Sequence, residues 1–117
     1  MYVNNVCIVG NLTSDPRMGG TDGRLANFRM AVNRWRKPCQ EGDDEASLKD
    51  RTEFIDVECW GAQAENIGSS LKRGDRAIVA GQLKYDQWSD DDGNLKGRLR
   101  IKAFAVGASL EFQNLST

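Results

Sequence analysis

The chain has 117 residues, enough for one domain with a core of its own, and its 28 % charged and 39 % apolar residues make an ordinary soluble composition. No apolar run approaches a membrane span, and the absence of histidine removes the commonest general base and the commonest metal ligand. The net charge of −1 at first argues against a nucleic-acid partner, although its distribution along the chain matters more than its sum.

The start, "MYVNNVCIVGN", has neither the basic region nor the apolar stretch of a signal or transit peptide, so the cytosol is the expected compartment. "VNNVCIVGNL" predicts a first strand. Its centre, Val6-Cys7-Ile8-Val9, is apolar on both parities, which predicts two buried faces. "SDPRMGGTDG" is turn material. "LANFRMAVNRW" alternates, with Phe28, Met30 and Val32 inward and Arg29, Asn33 and Trp35 outward. Residues 36–51 are polar and aperiodic and predict a long flexible loop.

A third strand follows over 52–60. Ile55, Val57 and Cys59 share its core face, while Phe54, Asp56, Glu58 and Trp60 share a face that two carboxylates mark as wet. "AQAENIGSSLKRG" predicts a short helix with Ala64, Ile67 and Leu71 on one stripe, Lys72 and Arg73 at its end and Gly74 as the residue just past it. In "DRAIVAGQLKYDQW" Val79, Leu83 and Tyr85 point inward and Gln82, Lys84 and Trp88 outward, with Gly81 marking a bend or bulge. After the hairpin turn "SDDDGN", the last strand places Leu99, Ile101 and Ala103 inward and Arg98, Arg100 and Lys102 outward. Three strands, a helix and two strands predict an all-β fold. The plan is that of the OB-fold, a five-stranded barrel with one short helix between strands 3 and 4.

The acids concentrate in two apparent loops, residues 41–50 and 90–92. Without their eight acids and one lysine, the rest of the chain holds nine acids and fifteen bases, a net of about +6. The bases lie on the strands, beside outward aromatics. A lone outward tryptophan can cap a barrel end or fill a subunit interface. Here four aromatics, Trp35, Phe54, Trp60 and Trp88, share their parity with cations on separate strands. Rings that stack bases beside cations that meet phosphates suit single-stranded nucleic acid, with weak dependence on base sequence. Asp56 and Glu58 oppose this by repelling phosphate, unless arginines of neighbouring strands neutralise them.

Two other functions compete. Asp56 and Glu58 could hold a metal for nuclease chemistry, but the face has no histidine and no third clustered carboxylate. The chain could also be an OB-fold interaction module that no longer binds DNA, against which its aromatics argue. In "WSDDDGNLKGRL" a calcium-loop alignment on Gly93 puts Trp88 and Leu99 at ligand positions, which excludes oxygen ligation there. Neither an enzyme, a cofactor nor a metal is expected.

The chain resembles the bacterial single-stranded DNA-binding proteins through "NNVCIVGNLTSDP", "ANFRMAVNRW", "TEFIDVECWGAQAENI", "LKRGDRAIVAGQL" and "WSDDDG", which cover nearly its whole length. The resemblance implies an OB-fold homotetramer that coats DNA in replication, recombination and repair. Localisation would be cytoplasmic and nucleoid-associated, with no membrane. It assigns base stacking to Trp35, Phe54, Trp60 and Trp88, and phosphate contact to Arg34, Arg36, Arg73, Lys84 and Arg98. The binding domain is expected over residues 1–112, with 113–117 starting a C-terminal segment. Family members usually continue into a Gly/Pro-rich tail whose acidic tip docks partner enzymes. That tail is absent from this sequence, so replication and repair proteins are expected as partners only of a longer form.

A first strand that is apolar on both faces needs a partner for one of them. In the family, first strands pair antiparallel across a two-fold. Residues near such an axis face their own copies, which makes Cys7 a candidate for an intersubunit disulfide, with Cys39 and Cys59 left as thiols. In a reducing cytosol the competing reading is a small buried apolar residue.

Overall fold

A computed structural model of the chain describes residues 1–33, 52–111 and 113. The elements are β1 (Val6–Leu12), β2 (Arg17–Gly19), β3 (Leu25–Asn33), β4 (Thr52–Trp60), α1 (Ala62–Ser70), β5 (Arg76–Ser89) and β6 (Leu95–Ala108). One sheet runs in the order β1-β5-β6-β4-β3-β2, and a further β1–β3 pairing closes it into a barrel. This is the OB-fold plan, with the helix after the third long strand. The short β2 is an addition. It forms inside what composition marked as turn, because the segment lies along β3 with Arg17 opposite Asn27 and Gly19 opposite Leu25. Neighbouring strands are antiparallel except β4 and β6, which pair in parallel with Val57 opposite Ile101.

The core follows the alternation. Phe28 and Met30 of β3, Val57 and Cys59 of β4, Val79 of β5 and Ile101 of β6 are buried together. Ala64 and Ile67 of α1 and Leu71 just past its end join them, as their stripe predicted. The helix ends earlier than expected. Ser70 is its last residue, Leu71 is extended, and the Leu71 amide donates to the Ile67 carbonyl. Gly74 therefore does not terminate the helix; it takes a φ of 92° in the following turn.

Two glycines permit closure. A Cβ on Gly10 would run into the Ala31 carbonyl, where β1 crosses β3, and a Cβ on Gly81 would run into the Lys102 carbonyl. At Gly81 the β5–β6 register shifts, leaving Phe104 as an extra residue on β6. Gln63 of α1 satisfies the bulge: its Nε2 donates to the Phe104 carbonyl at 3.0 Å and its Oε1 accepts from the Val106 amide at 2.8 Å.

Three inward assignments fail. Leu83, Tyr85 and Leu99 do lie opposite Lys84 and Arg98 in parity, yet they are 46 %, 58 % and 58 % exposed. The β5–β6 hairpin continues past the barrel as a two-stranded arm, so its inward side has no core to meet. In the single chain β1 is covered on one side only. Val6 and Ile8 pack on the core, whereas Cys7 and Val9 are exposed.

Candidate nucleic-acid interface

The register of β3, β4, β6 and β5 builds the outer face row by row. Arg29 stands opposite Asp56, Asp56 opposite Arg100, and Arg100 opposite Lys84. In the next row Asn27, Glu58, Lys102 and Gln82 stand in line. Phe54 and Trp60 lie beyond these rows on β4, paired with Ala31 and Leu25. Trp88 lies on the arm opposite Lys96, two residues along β5 from the Asp86–Arg98 pair. Phe54, Trp60 and Trp88 are 63 %, 53 % and 45 % exposed. Rings left this open at the surface, spaced among cations, are not part of the core.

The two carboxylates that argued against phosphate are engaged internally. Asp56 accepts from the Nε of Arg29 at 3.0 Å and from the Nε of Arg98 at 2.7 Å. Burial pushes the Asp56 carboxyl up, but the hydrogen bonds and charges of the two guanidiniums more than offset this and hold it below the usual carboxylate range. Glu58 is the larger surprise, because the alternation put it on the wet face and it is only 3 % exposed. Lys84 Nζ and Arg100 Nη1 each lie 3.4 Å from its carboxylate and cover it. Arg100 also pairs with Asp86. The acids thus order the cations instead of presenting negative charge to solvent.

Of the residues expected to bind, Phe54, Trp60, Lys84, Trp88 and Arg98 come together on this face. Trp35, Arg34 and Arg36 lie outside the described residues, as do the loop over 36–51 and Cys39. Arg73 stands apart, in the turn after α1, where its amide donates to Asp15 at 2.8 Å. Arg29, Arg100 and Lys102 belong to the face by parity, though the family resemblance did not single them out. Arg17 was missed because β2 was read as turn. Only its pairing with Asn27 shows which side it takes.

Cys7 lies opposite Ala80 on the exposed side of β1. Cys59 is buried, and its burial pushes the thiol pKa up. Among the described residues no cluster of His, Cys, Asp and Glu could hold a metal, and no helix is long and apolar enough to cross a membrane.

The model of the single-strand binding protein family matches residues 3–109. A relative from Corynebacterium glutamicum, named single-stranded DNA-binding protein, is 32 % identical over 112 residues, covering 92 % of this chain and 48 % of the relative. Relatives of the same name from Treponema pallidum and Thermus aquaticus are each 35 % identical over 106 residues, 89 % of this chain and 56 % and 37 % of theirs. The chain spans about half the length of the first two relatives. With a family match over nearly its whole length, on a barrel whose outer face carries exposed rings among ordered cations, the chain belongs to the single-strand binding protein family.

Proposed function

We propose that this chain binds single-stranded DNA without strong sequence preference, and that it coats and protects such strands in replication, recombination and repair, in the cytoplasm and at the nucleoid. It acts by binding, not catalysis. The observation that carries this reading is the shared outer face of Phe54, Trp60 and Trp88, interleaved with Lys84, Arg98 and Arg100. Bases stack on the rings and phosphates meet the cations, and Trp35, Arg34, Arg36 and Arg73 are expected to take part in the same contacts. A duplex hides its base faces and gains only the cations. Oligothymidine should therefore quench tryptophan fluorescence, more weakly as salt rises, because phosphate contacts release counterions. Equal affinity for duplex and single strand would overturn the reading.

The same reading includes a homotetramer. Cys7 and Val9 of β1 and Ile78 and Ala80 of β5 form two neighbouring rows without a charged residue. Val9 and Ile78 are 36 % and 40 % exposed in the single chain. Among the described residues, the second edge of β1 pairs only at Asn11 and Leu12. An open edge beside an apolar face suits a second copy. A monomeric mass in solution at micromolar concentration would refute it. Cys7 stands on this face, so oxidation is expected to link two copies through it. Non-reducing electrophoresis should show a dimer band that Cys7→Ser abolishes; a band that persists in the variant refutes the link. Partner enzymes are expected to dock if the full-length protein carries a C-terminal tail.

A further inference from the structure

The centre of the charged face, between the rings of Phe54 and Trp60, contains a cleft of about 570 Å³. Among the described residues Thr13 and Ser14 of the β1–β2 turn, Arg17, Arg29, Arg98 and Arg100 border it, with Asp56 as the one carboxylate. Among the described residues Arg17, Arg29 and Arg98 bring three guanidiniums to the one carboxylate of Asp56, while Arg100 is itself paired with Glu58 and Asp86. The Thr13 hydroxyl donates to the Arg29 carbonyl at 3.2 Å, holding the turn against β3.

The way Asp56 engages its partners matters more than the count. Arg29 and Arg98 both reach it through Nε. A guanidinium so held keeps its four terminal N–H donors, in a planar fork that matches a phosphate. Among the described residues nothing engages those terminal donors, and nothing engages the side chain of Arg17. Arg100 adds an Nε that is shielded from solvent and has no hydrogen-bond partner there.

The position of the cleft supplies the reason for it. Phe54 and Trp60 lie six residues apart on β4, a separation of roughly 20 Å at the rise of a strand. Stacked neighbours on one DNA strand are only about 3.4 Å apart. Bases on the two rings are therefore not adjacent, and the nucleotides between them cross the middle of the face. Among the described residues, the protein offers donors there and no exposed ring.

We propose that this cleft seats a backbone phosphate of the single strand as it passes between Phe54 and Trp60, with Arg17 and the terminal nitrogens of Arg29 and Arg98 as donors. The proposal deepens the single-stranded DNA reading and rests on it. Arg17 is the residue to remove, since it is exposed and no protein contact depends on it among the described residues. Arg24, paired with Glu65 at 3.7 Å outside the cleft, provides an equal loss of charge elsewhere.

The experiment measures oligothymidine affinity against salt for the wild-type chain, Arg17→Ala, Arg17→Lys and Arg24→Ala. Each lost phosphate contact on a single strand should make the slope of log affinity against log salt shallower by about 0.7. Arg17→Ala is expected to lose that amount, Arg17→Lys to recover most of it as a point charge, and Arg24→Ala to keep the wild-type slope. If Arg17→Ala keeps the wild-type slope, or if both alanine variants change it equally, the phosphate seat is overturned. A wild-type chain that does not bind oligothymidine at all would remove the underlying reading, a failure distinct from the other two.

Discussion

Strand β5 presents its even-numbered side chains outward along both of its halves, and the halves differ completely. Past Arg76, which opens the strand opposite Asn11, the first half shows Ile78 and Ala80, beside Cys7 and Val9 of β1. The second shows Gln82, Lys84, Asp86 and Trp88, beside Lys102, Arg100, Arg98 and Lys96 of β6. Ile78 and Trp88 are comparably exposed in the single chain, at 40 % and 45 %. Exposure therefore does not distinguish what each half meets; composition does. Small apolar side chains without a charge can be desolvated cheaply against a like surface. Rings set among cations gain most from a charged polymer with open π-faces. The change comes at the bulge opposite Gly81, where β6 inserts Phe104 and the pairing shifts by one residue.

The sharpest way to break this comparison is to make the first half resemble the second. Ile78→Glu would bury an unpaired charge in the proposed subunit contact, at a cost of about 3–5 kcal/mol. Light scattering should then report a smaller assembly, while tryptophan quenching by oligothymidine persists. An unchanged mass would mean that this half is not the contact. The converse change empties the second half. Trp60→Ala or Trp88→Ala should each weaken single-stranded DNA binding by about 1–3 kcal/mol per lost stack and leave the mass alone. Titrations that show wild-type affinity in both variants would move the site elsewhere.

A smaller effect tests the charge order within the second half. Burial raises the Asp56 carboxyl, but Arg29 and Arg98 more than reverse this, so its folded pKa lies below its unfolded value. The stabilisation is thus complete above the unfolded value, near 3.9, and is lost as pH falls through the folded value. Both arginines are about half exposed, at 52 % and 51 %. The loss should therefore not exceed about 1 kcal/mol. Urea midpoints between pH 6 and pH 3 should fall further for the wild-type chain than for Asp56→Asn. Because the variant also removes a negative charge from the face, its affinity for oligothymidine should rise. Parallel pH profiles would show that the Asp56 clamp contributes nothing.

The faces of β3 and β4 were legible in the sequence because alternation is a property of one strand. Phe54 and Trp60 fall outward and Val57 and Cys59 inward, whatever lies beside them. The stripe of Ala64, Ile67 and Leu71 was legible for the same reason, with the period of a helix. The family motifs likewise pointed to the right barrel. What alternation could not supply is the neighbour. Glu58 is wet by parity and buried in fact, because β4 pairs in parallel with β6 and brings Arg100 over it while Lys84 reaches in from β5. Leu83, Tyr85 and Leu99 have core parity and no core, because the hairpin outruns the barrel. Arg17 joins the charged face only because a stretch with turn composition adds itself to the edge of β3. The sequence by itself determined which side chains share a side of each strand, since that depends on local backbone geometry alone. Tertiary structure decided which of those sides are covered and which charges meet, since both depend on pairings between residues far apart in the chain.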